Sequence, residues 1–195
     1  MRTAGLLPTI ATAFFIAALA FSQEGNAPAF RKIKLVNADF SAPSSGDSII
    51  GWLTLNRNLT PALKVERDDK GKYLSVAAGR CSCTKPDCKE VRGLVYNAEK
   101  FHAKPGTKIR ISVDYRSPDH AKMGVILWNI GGRANQWICW KLPCTTEWKT
   151  LSREYIIKNA PKTDTDTEVL RSYYAGFDIW DGTVQIRNFK AALER

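Results

Sequence analysis

The sequence predicts an all-β protein, a two-sheet antiparallel β-sandwich of the jelly-roll type. Short segments along the chain alternate apolar and polar residues, and turns rich in Gly, Pro, Asn and Asp separate them. No window shows the apolar spacing of an amphipathic helix. A length of 195 residues suits one domain, and many short strands in one domain are typical of sandwiches and jelly rolls.

The predicted strands follow one another along the whole domain. The clearest is 107–116 (TKIRISVDYR), where Ile109, Ile111 and Val113 alternate with polar or charged residues, so one face is predicted to be buried and the other solvated. Turn residues lie at 69–71, 105–106, 131–132 and 181–182. The other predicted strands are 31–36, 50–55, 62–66, 72–77, 91–97, 124–130, 136–142, 149–157, 168–177 and 183–193.

The N-terminus has the features of a secretory signal. A basic start precedes an apolar run and small residues, so 1–22 are predicted to be a signal peptide, 23–30 a flexible lead and 31–195 a single domain. Pro8 interrupts the apolar run, which falls short of the ~20 residues that cross a bilayer, and we predict no stable membrane insertion. The protein is therefore expected to be secreted or extracytoplasmic.

The chain is basic, with a net charge of +10. Its Lys and Arg residues are spread along the chain, where they alternate with apolar residues or occupy turns. Proteins that bind nucleic acids more often carry a clustered basic patch, so no nucleic-acid partner is predicted. Attraction to acidic glycans or to an anionic cell surface stays open, and so does the oligomeric state.

Four of the six tryptophans lie within 128–148, beside amide and guanidinium side chains. Such a composition is typical of a glycan-binding surface, because rings stack on sugar C–H faces while polar groups bond the hydroxyls. In the hairpin 124–142, strand parity separates two sets of side chains. The almost wholly apolar set is predicted to face the core: Ile126, Trp128, Ile130, Ile138 and Trp140. The mixed set is predicted to form an open sheet face: Val125, Leu127, Asn129, Trp137, Cys139 and Lys141.

Trp137 is thus the first stacking candidate, with a half-buried structural ring as the alternative. Trp180 is predicted at a loop end beside the turn 181–182, where Asp178 would accept hydroxyl protons; a lid on the core is the alternative for this ring. The predicted carbohydrate-binding residues are Trp137, Trp180, Tyr174, Asn129, Arg133, Asn135, Gln136 and Asp178.

Several short motifs occur in a fixed order, and together they span most of 31–195. They are NADF at 37–40, GW at 51–52, GKYLSV at 71–76, PG at 105–106, WKTLS at 148–152 and GTVQIRNF at 182–189. This ordered set resembles the CenC-like carbohydrate-binding modules, within the galactose-binding-domain-like jelly rolls. The resemblance implies glycan binding on a concave sheet or at loop ends, and it implies that Trp52 and Trp148 pack the fold.

The resemblance also implies a structural calcium ion, held by a Glu after the Phe of the first motif and by an Asp in the last strand. This chain has Ser41 and Arg187 at those positions. Calcium requires several oxygen ligands that include carboxylates, so the usual site is predicted to be altered or lost, and no cofactor is expected. In the segment KTDTDTE, Asp164, Asp166 and Glu168 are interpreted as a solvated turn rather than a metal loop.

The five cysteines are interpreted as a disulfide framework, as expected of a secreted protein. The loop 81–88 is predicted to be closed internally or to Cys144, with Cys139 as a candidate for the leftover thiol, and the pairing stays open. Zinc is disfavoured because the spacing lacks Cys-x-x-Cys pairs and only two histidines are present. The cysteines are Cys81, Cys83, Cys88, Cys139 and Cys144.

Catalysis has little support in the sequence, because His102 and His120 lie in predicted turn regions and no carboxylate pair stands out. The predicted function is therefore noncatalytic carbohydrate binding through a sheet-face or loop-end aromatic site. The first alternative is a secreted structural or cell-surface interaction protein with the same fold and no glycan site. The second is a small glycan-active hydrolase or lyase.

Overall fold

The computed structural model describes residues 29–42, 44–45, 48–55, 61–80, 91–130, 135–158 and 170–195. The predicted signal peptide, the acidic segment 164–168, Arg133 and the cysteines of the loop 81–88 lie outside these residues. No helix among the described residues has the length and hydropathy needed to cross a bilayer. The described strands are β1 Phe30–Ile33, β2 Ser44–Ser45, β3 Ser48–Ile49, β4 Trp52–Leu55, β5 Ala62–Asp68, β6 Gly71–Ala77, β7 Gly79–Arg80, β8 Val91–Asn97, β9 Phe101–Ala103, β10 Lys108–Arg116, β11 Lys122–Asn129, β12 Gln136–Leu142, β13 Lys149–Ile156, β14 Arg171–Trp180 and β15 Thr183–Glu194.

The strands form two antiparallel sheets that pack as a jelly-roll sandwich, which confirms the predicted fold class. The smaller sheet has the order β13-β10-β15-β6-β5, and β1 also pairs with β15. The larger sheet has the order β12-β11-β14-β8-β4-β3-β2, with β7 on β8 and β9 on β14. Every predicted strand overlaps one of the strands described in the structure. Four strands of two or three residues were not predicted: β2, β3, β7 and β9, the last of which contains His102.

One hydrophobic core fills the space between the sheets. On β10, Ile109, Ile111 and Val113 are fully buried, as their alternation predicted. Trp52 is 2% exposed, and its ring stacks on Phe177 with centroids 6.0 Å apart. Its indole N–H donates to a backbone carbonyl at 3.0 Å, so the ring is buried without an unsatisfied donor. The predicted core role of Trp52 is confirmed.

The predicted sidedness of β11 is wrong. Met123, Val125 and Leu127 pack in the core, whereas Ile126 and Trp128 point to the outer face of the larger sheet. Both faces of β11 carry large apolar residues, because the outer face is itself covered. Composition alone therefore favoured the wrong set of side chains.

Strand β12 breaks the simple alternation that the sequence analysis assumed. Its pairing with β11 shifts register twice, and Lys141 has a φ of 43°. These irregularities are β-bulges, and Ile138 and Cys139 consequently both pack towards the core although they are adjacent. Trp137 and Trp140, three residues apart, reach the same outer face. Trp140, predicted to be buried, is 56% exposed.

Candidate functional site

The outer face of the larger sheet is lined with aromatic rings from four adjacent strands. Core residues on β14 occupy every second position, so the residues between them point outwards. The cross-strand pairs Trp128–Tyr174 and Trp180–Arg92 extend this face to β11 and β8. The six rings, which we call the aromatic face, are Trp137 and Trp140 on β12, Trp128 on β11, Tyr174 and Trp180 on β14, and Tyr96 on β8.

Three of these rings form what we call the tryptophan cluster. The ring centroids of Trp137 and Trp140 are 4.2 Å apart at 87°, and Trp180 lies 5.6 Å from Trp137 and 5.0 Å from Trp140. Gly124 makes room for the first of these rings, because a Cβ there would lie 2.7 Å from Trp137 Cζ3. The cluster therefore rests directly on the sheet backbone, and Trp140 presents the most exposed ring.

The other end of the aromatic face holds two tyrosines. The rings of Tyr96 and Tyr174 are 4.9 Å apart, and Trp128 stands opposite Tyr174 across the ladder. Burial, and to a smaller extent Tyr174, raises the pKa of Tyr96 above its usual value. Its hydroxyl thus stays protonated at neutral pH and keeps its capacity to donate a hydrogen bond.

An ion pair with a buried carboxylate lies beneath the tryptophan cluster. Asp178 is opposite Gly124 in the ladder and is fully buried, and Arg92 Nε donates to its two carboxylate oxygens at 2.7 and 2.8 Å. Arg92 Nη2 also contacts Asp178 Oδ2. The guanidinium carbon is 5.4 Å from the Trp180 ring centroid. Asp178 therefore positions a partly exposed guanidinium beside a ring.

A lysine side chain lies beside the tryptophan cluster at this end of the aromatic face. Lys141 Nζ lies 5.4 Å from the Trp180 centroid and 5.7 Å from that of Trp140, within the range of a cation–π interaction. Lys122 is exposed and stands opposite Trp180 in the ladder. The rings of the cluster thus have cationic neighbours from three strands.

The structure brings some of the predicted carbohydrate-binding residues together. Trp137, Trp180, Tyr174 and Asp178 share the aromatic face, with Trp180 at the end of a strand rather than in a loop. The Asp178 carboxylate is buried and engaged by Arg92, so it does not face a ligand directly. Asn135 is exposed in the connection before β12.

Two predicted residues lie on the core side of the larger sheet instead. Asn129 is 5% exposed and Gln136 is 6% exposed. The Gln136 side chain donates to the Lys158 carbonyl at 2.9 Å and accepts from the Lys158 amide at 2.8 Å. It therefore ties β12 to the segment after β13 and does not line the aromatic face.

Five residues of this face are absent from the predicted carbohydrate-binding set: Arg92, Tyr96, Trp128, Trp140 and Lys141. For two of them a signal was present in the sequence, because strand parity places Arg92 and Tyr96 on one face of the predicted strand 91–97 and Val95 on the other. The position of Trp140 depends on the bulges in β12, which the sequence does not mark with a glycine. Lys141 was predicted on the same open face as Trp137 but was not chosen as a binding residue.

Comparisons with known proteins agree with the fold. No family model and no curated protein matches the sequence. Among solved structures, a carbohydrate-binding module of family 4 matches with a TM-score of 0.51 at 13% identity, over 82% of this chain and 99% of that one. This chain has the jelly-roll fold of a carbohydrate-binding module.

Two further matches are weaker. A family 11 carbohydrate-binding module of the cellulosomal cellulase Lic26A-Cel5E of Clostridium thermocellum gives a TM-score of 0.47 at 13% identity, over 85% of this chain and 95% of that one. A cyclase from Fischerella sp. TAU gives a TM-score of 0.47 at 19% identity, over 84% of this chain and 98% of that one.

The residues at the expected calcium positions do not fit a calcium site. Arg187 places a cationic guanidinium there, and its Nη1 lies 3.2 Å from Asp68 Oδ1. Near Ser41, the Lys72 ammonium lies 3.5 Å from the backbone carbonyl. Among the described residues, no three His, Cys, Asp or Glu side chains gather in a way that would hold a metal ion.

We expect chelation to leave stability unchanged. Dialysis against EDTA should not shift the thermal midpoint, because Arg187 already supplies the positive charge beside Asp68. The measurement is a thermal melt with and without EDTA, followed by added calcium. A fall of several degrees that calcium restores would show that the protein holds the ion elsewhere.

Trp148 lies on the outer face of the smaller sheet and not in the core. The Arg187 guanidinium stacks on its ring at 3.9 Å, and Arg116 lies 4.5 Å from the centroid. Its indole N–H donates to Asp68 at 3.2 Å. The ring thus packs the fold, as the resemblance implied, through a polar surface network.

Cys139 and Cys144 carry free thiols in the part of the chain that the structure describes. A bond between Cys144 and the loop 81–88 is therefore not seen. Cys139 is free, as predicted for the one leftover thiol, but Cys144 is free as well, so the predicted disulfide framework is not supported. Burial raises the pKa of Cys139, although Arg153 opposes the shift, so this thiol is a weak nucleophile.

Proposed function

We propose that this protein binds glycans noncatalytically through the aromatic face. The tryptophan cluster carries the proposal. It gathers three rings on a solvent-facing sheet surface, with the exposed Trp140 at its edge and the Arg92 guanidinium beside it. Flat apolar rings next to directional hydrogen-bond donors suit sugar rings, which have apolar C–H faces and polar rims.

The length of the face supports an oligosaccharide or polysaccharide ligand. Tyr174 and Trp180 lie six positions apart on β14, which corresponds to roughly 20 Å at the rise of an antiparallel strand. Several sugar units in line would reach from the tyrosine end to the tryptophan cluster. The rings pack against one another and against the sheet, so binding requires little ordering of the protein.

The proposal also includes a family relationship and a cellular location. A relationship to the CenC-like modules is supported by the ordered motifs and by the family 4 match in fold. An extracytoplasmic location is supported by the signal-like sequence of residues 1–22.

The proposal that binding is noncatalytic rests on the state of Asp178. Glycoside hydrolysis in its usual form needs two carboxyl groups across one cleft. On the aromatic face, Asp178 is buried and engaged by Arg92. We expect no release of reducing ends from any polysaccharide that the protein binds. If reducing ends were released in proportion to the amount of purified protein, the protein would be an enzyme.

Removing the Trp140 ring is expected to weaken glycan binding about two- to tenfold, because a favourable stacking contact with one ring contributes about 0.5–1.5 kcal/mol. The measurement is affinity electrophoresis of Trp140→Ala against a panel of soluble polysaccharides, with calorimetry on those that retard the wild type. Ile156→Ala is the matched control, because Ile156 has the same exposed fraction of 56% and lies on the smaller sheet.

The control variant is expected to bind like the wild type. The proposal fails if no polysaccharide retards the wild-type protein, or if the two variants behave alike. A stable partner protein captured on the aromatic face in place of glycans would favour the structural or interaction role instead.

A further inference from the structure

The tryptophan cluster has a border of positive charge that stacking on a neutral sugar would not require. Lys141 lies within 5.7 Å of two ring centroids, and Lys122 is exposed opposite Trp180. We infer that the cluster binds an anionic sugar unit, whose ring stacks on the tryptophans while its carboxylate or sulfate pairs with Lys141. This inference rests on the proposed function and names the ligand class of the same site.

The charge of Lys141 is available to a ligand. The ion pairs among the described residues include neither Lys141 nor Lys122. Both side chains are exposed. Arg92 differs, because its charge is matched by Asp178. It therefore contributes directional hydrogen-bond donors, and the two lysines contribute the positive potential.

The backbone at Lys141 is unusual. Its φ of 43° is in the left-handed region, which non-glycine residues seldom adopt, and it lies where β12 pairs irregularly with β11. Such a conformation costs free energy that the surrounding fold must offset. Here it directs the ammonium over Trp140 and Trp180 at the edge of the aromatic face.

The remaining charges near the cluster do not cancel this potential. Asp178 is buried and engaged by a guanidinium, and Asp181 follows Trp180 in an exposed turn. Asp119 is a second exposed carboxylate beside this turn, and it accepts hydrogen bonds from the Thr183 amide at 2.8 and 2.9 Å. Both carboxylates belong to the region of the turn beyond Trp180, whereas the Lys141 ammonium lies over the rings of Trp140 and Trp180. The net charge of +10 adds a longer-range attraction for polyanions. That general attraction is not selective, so the test must separate it from the effect of Lys141.

The experiment uses polymers that differ only in charge. Polygalacturonate is compared with its carboxyl-reduced form, and dextran sulfate with dextran, by affinity electrophoresis and calorimetry at fixed ionic strength. We expect the wild type to prefer one charged polymer over its neutral partner. Lys141→Gln should lower affinity for the charged polymer about three- to fivefold more than affinity for its neutral partner, as expected of one exposed ion pair. Lys141→Arg should keep the preference.

Lys149→Gln is the matched control, because it removes one exposed positive charge from β13 on the smaller sheet. Equal losses in Lys141→Gln and Lys149→Gln would show nonspecific charge attraction and overturn the inference. Equal binding of charged and neutral polymers would also overturn it, whereas the proposed function would stand if Trp140→Ala still weakened binding. The charged polymer that is preferred identifies the anionic group as carboxylate or sulfate.

Discussion

Arg92→Ala is expected to lower the free energy of unfolding by about 3–5 kcal/mol, because it removes the charged partner of a buried carboxylate. Asp178 is 0% exposed, and the guanidinium contacts both of its oxygens. Arg92 itself is partly exposed at 32%, so the cost arises mainly from the carboxylate that stays behind. Urea denaturation followed by tryptophan fluorescence measures the change.

The double variant Arg92→Ala/Asp178→Asn provides the control. Asparagine removes the buried charge while it keeps the shape of the side chain, so the double variant should be more stable than Arg92→Ala alone. This non-additivity is the signature of a coupled pair. A loss below about 1 kcal/mol in Arg92→Ala would instead match a solvent-screened surface pair, and it would contradict the buried position of Asp178.

The strand pattern of this protein is predictable because most strands have one apolar face and one polar face. On β10, the alternation of Ile109, Ile111 and Val113 gave both the strand and its buried side correctly. Trp52 was assigned to the core from its motif, and the structure buries it against Phe177. The antiparallel sandwich follows from many such segments separated by turns.

The sidedness of the hairpin from β11 to β12 was not predictable in the same way. Ile126 and Val125 are both buried, one on each side of β11, because the aromatic face covers the outer side. The bulges in β12 then place Trp137 and Trp140 on one face, whereas regular alternation would separate them. Apolar and polar alternation does not identify the core-facing side of a strand when both of its faces are apolar.

The ion pair beneath the tryptophan cluster required the sheet topology. Arg92 and Asp178 are separated by 86 residues, and they meet because β8 and β14 are neighbours in the larger sheet. Sequence reasoning selected Asp178 as an exposed acceptor beside a turn. The structure makes it the group that positions Arg92, so the partly exposed charged side chain beside Trp180 is a base and not an acid.

Gly176→Ala is expected to destabilise the protein by about 2–3 kcal/mol, because a new methyl group in a packed site forces the backbone to shift. A Cβ at this position would lie 2.3 Å from the Val95 carbonyl oxygen and 2.7 Å from Tyr96 Cα. These are backbone atoms of β8, so relief requires β14 and β8 to separate in the middle of the larger sheet. Thermal and urea unfolding measure the loss.

Gly124→Ala is the informative comparison, because it adds the same methyl group on the same face. Its Cβ would lie 2.7 Å from Trp137 Cζ3, an atom of a side chain that is able to turn away, and 3.1 Å from the Cys139 carbonyl oxygen. We expect a stability loss of about 1 kcal/mol with weaker glycan binding, because the first ring of the tryptophan cluster is displaced. Equal stability of Gly176→Ala and wild type would contradict the close approach of β8 to β14. If Gly124→Ala bound glycans like wild type, the position of Trp137 would have no part in binding, and Trp140 and Trp180 would bind the sugar alone.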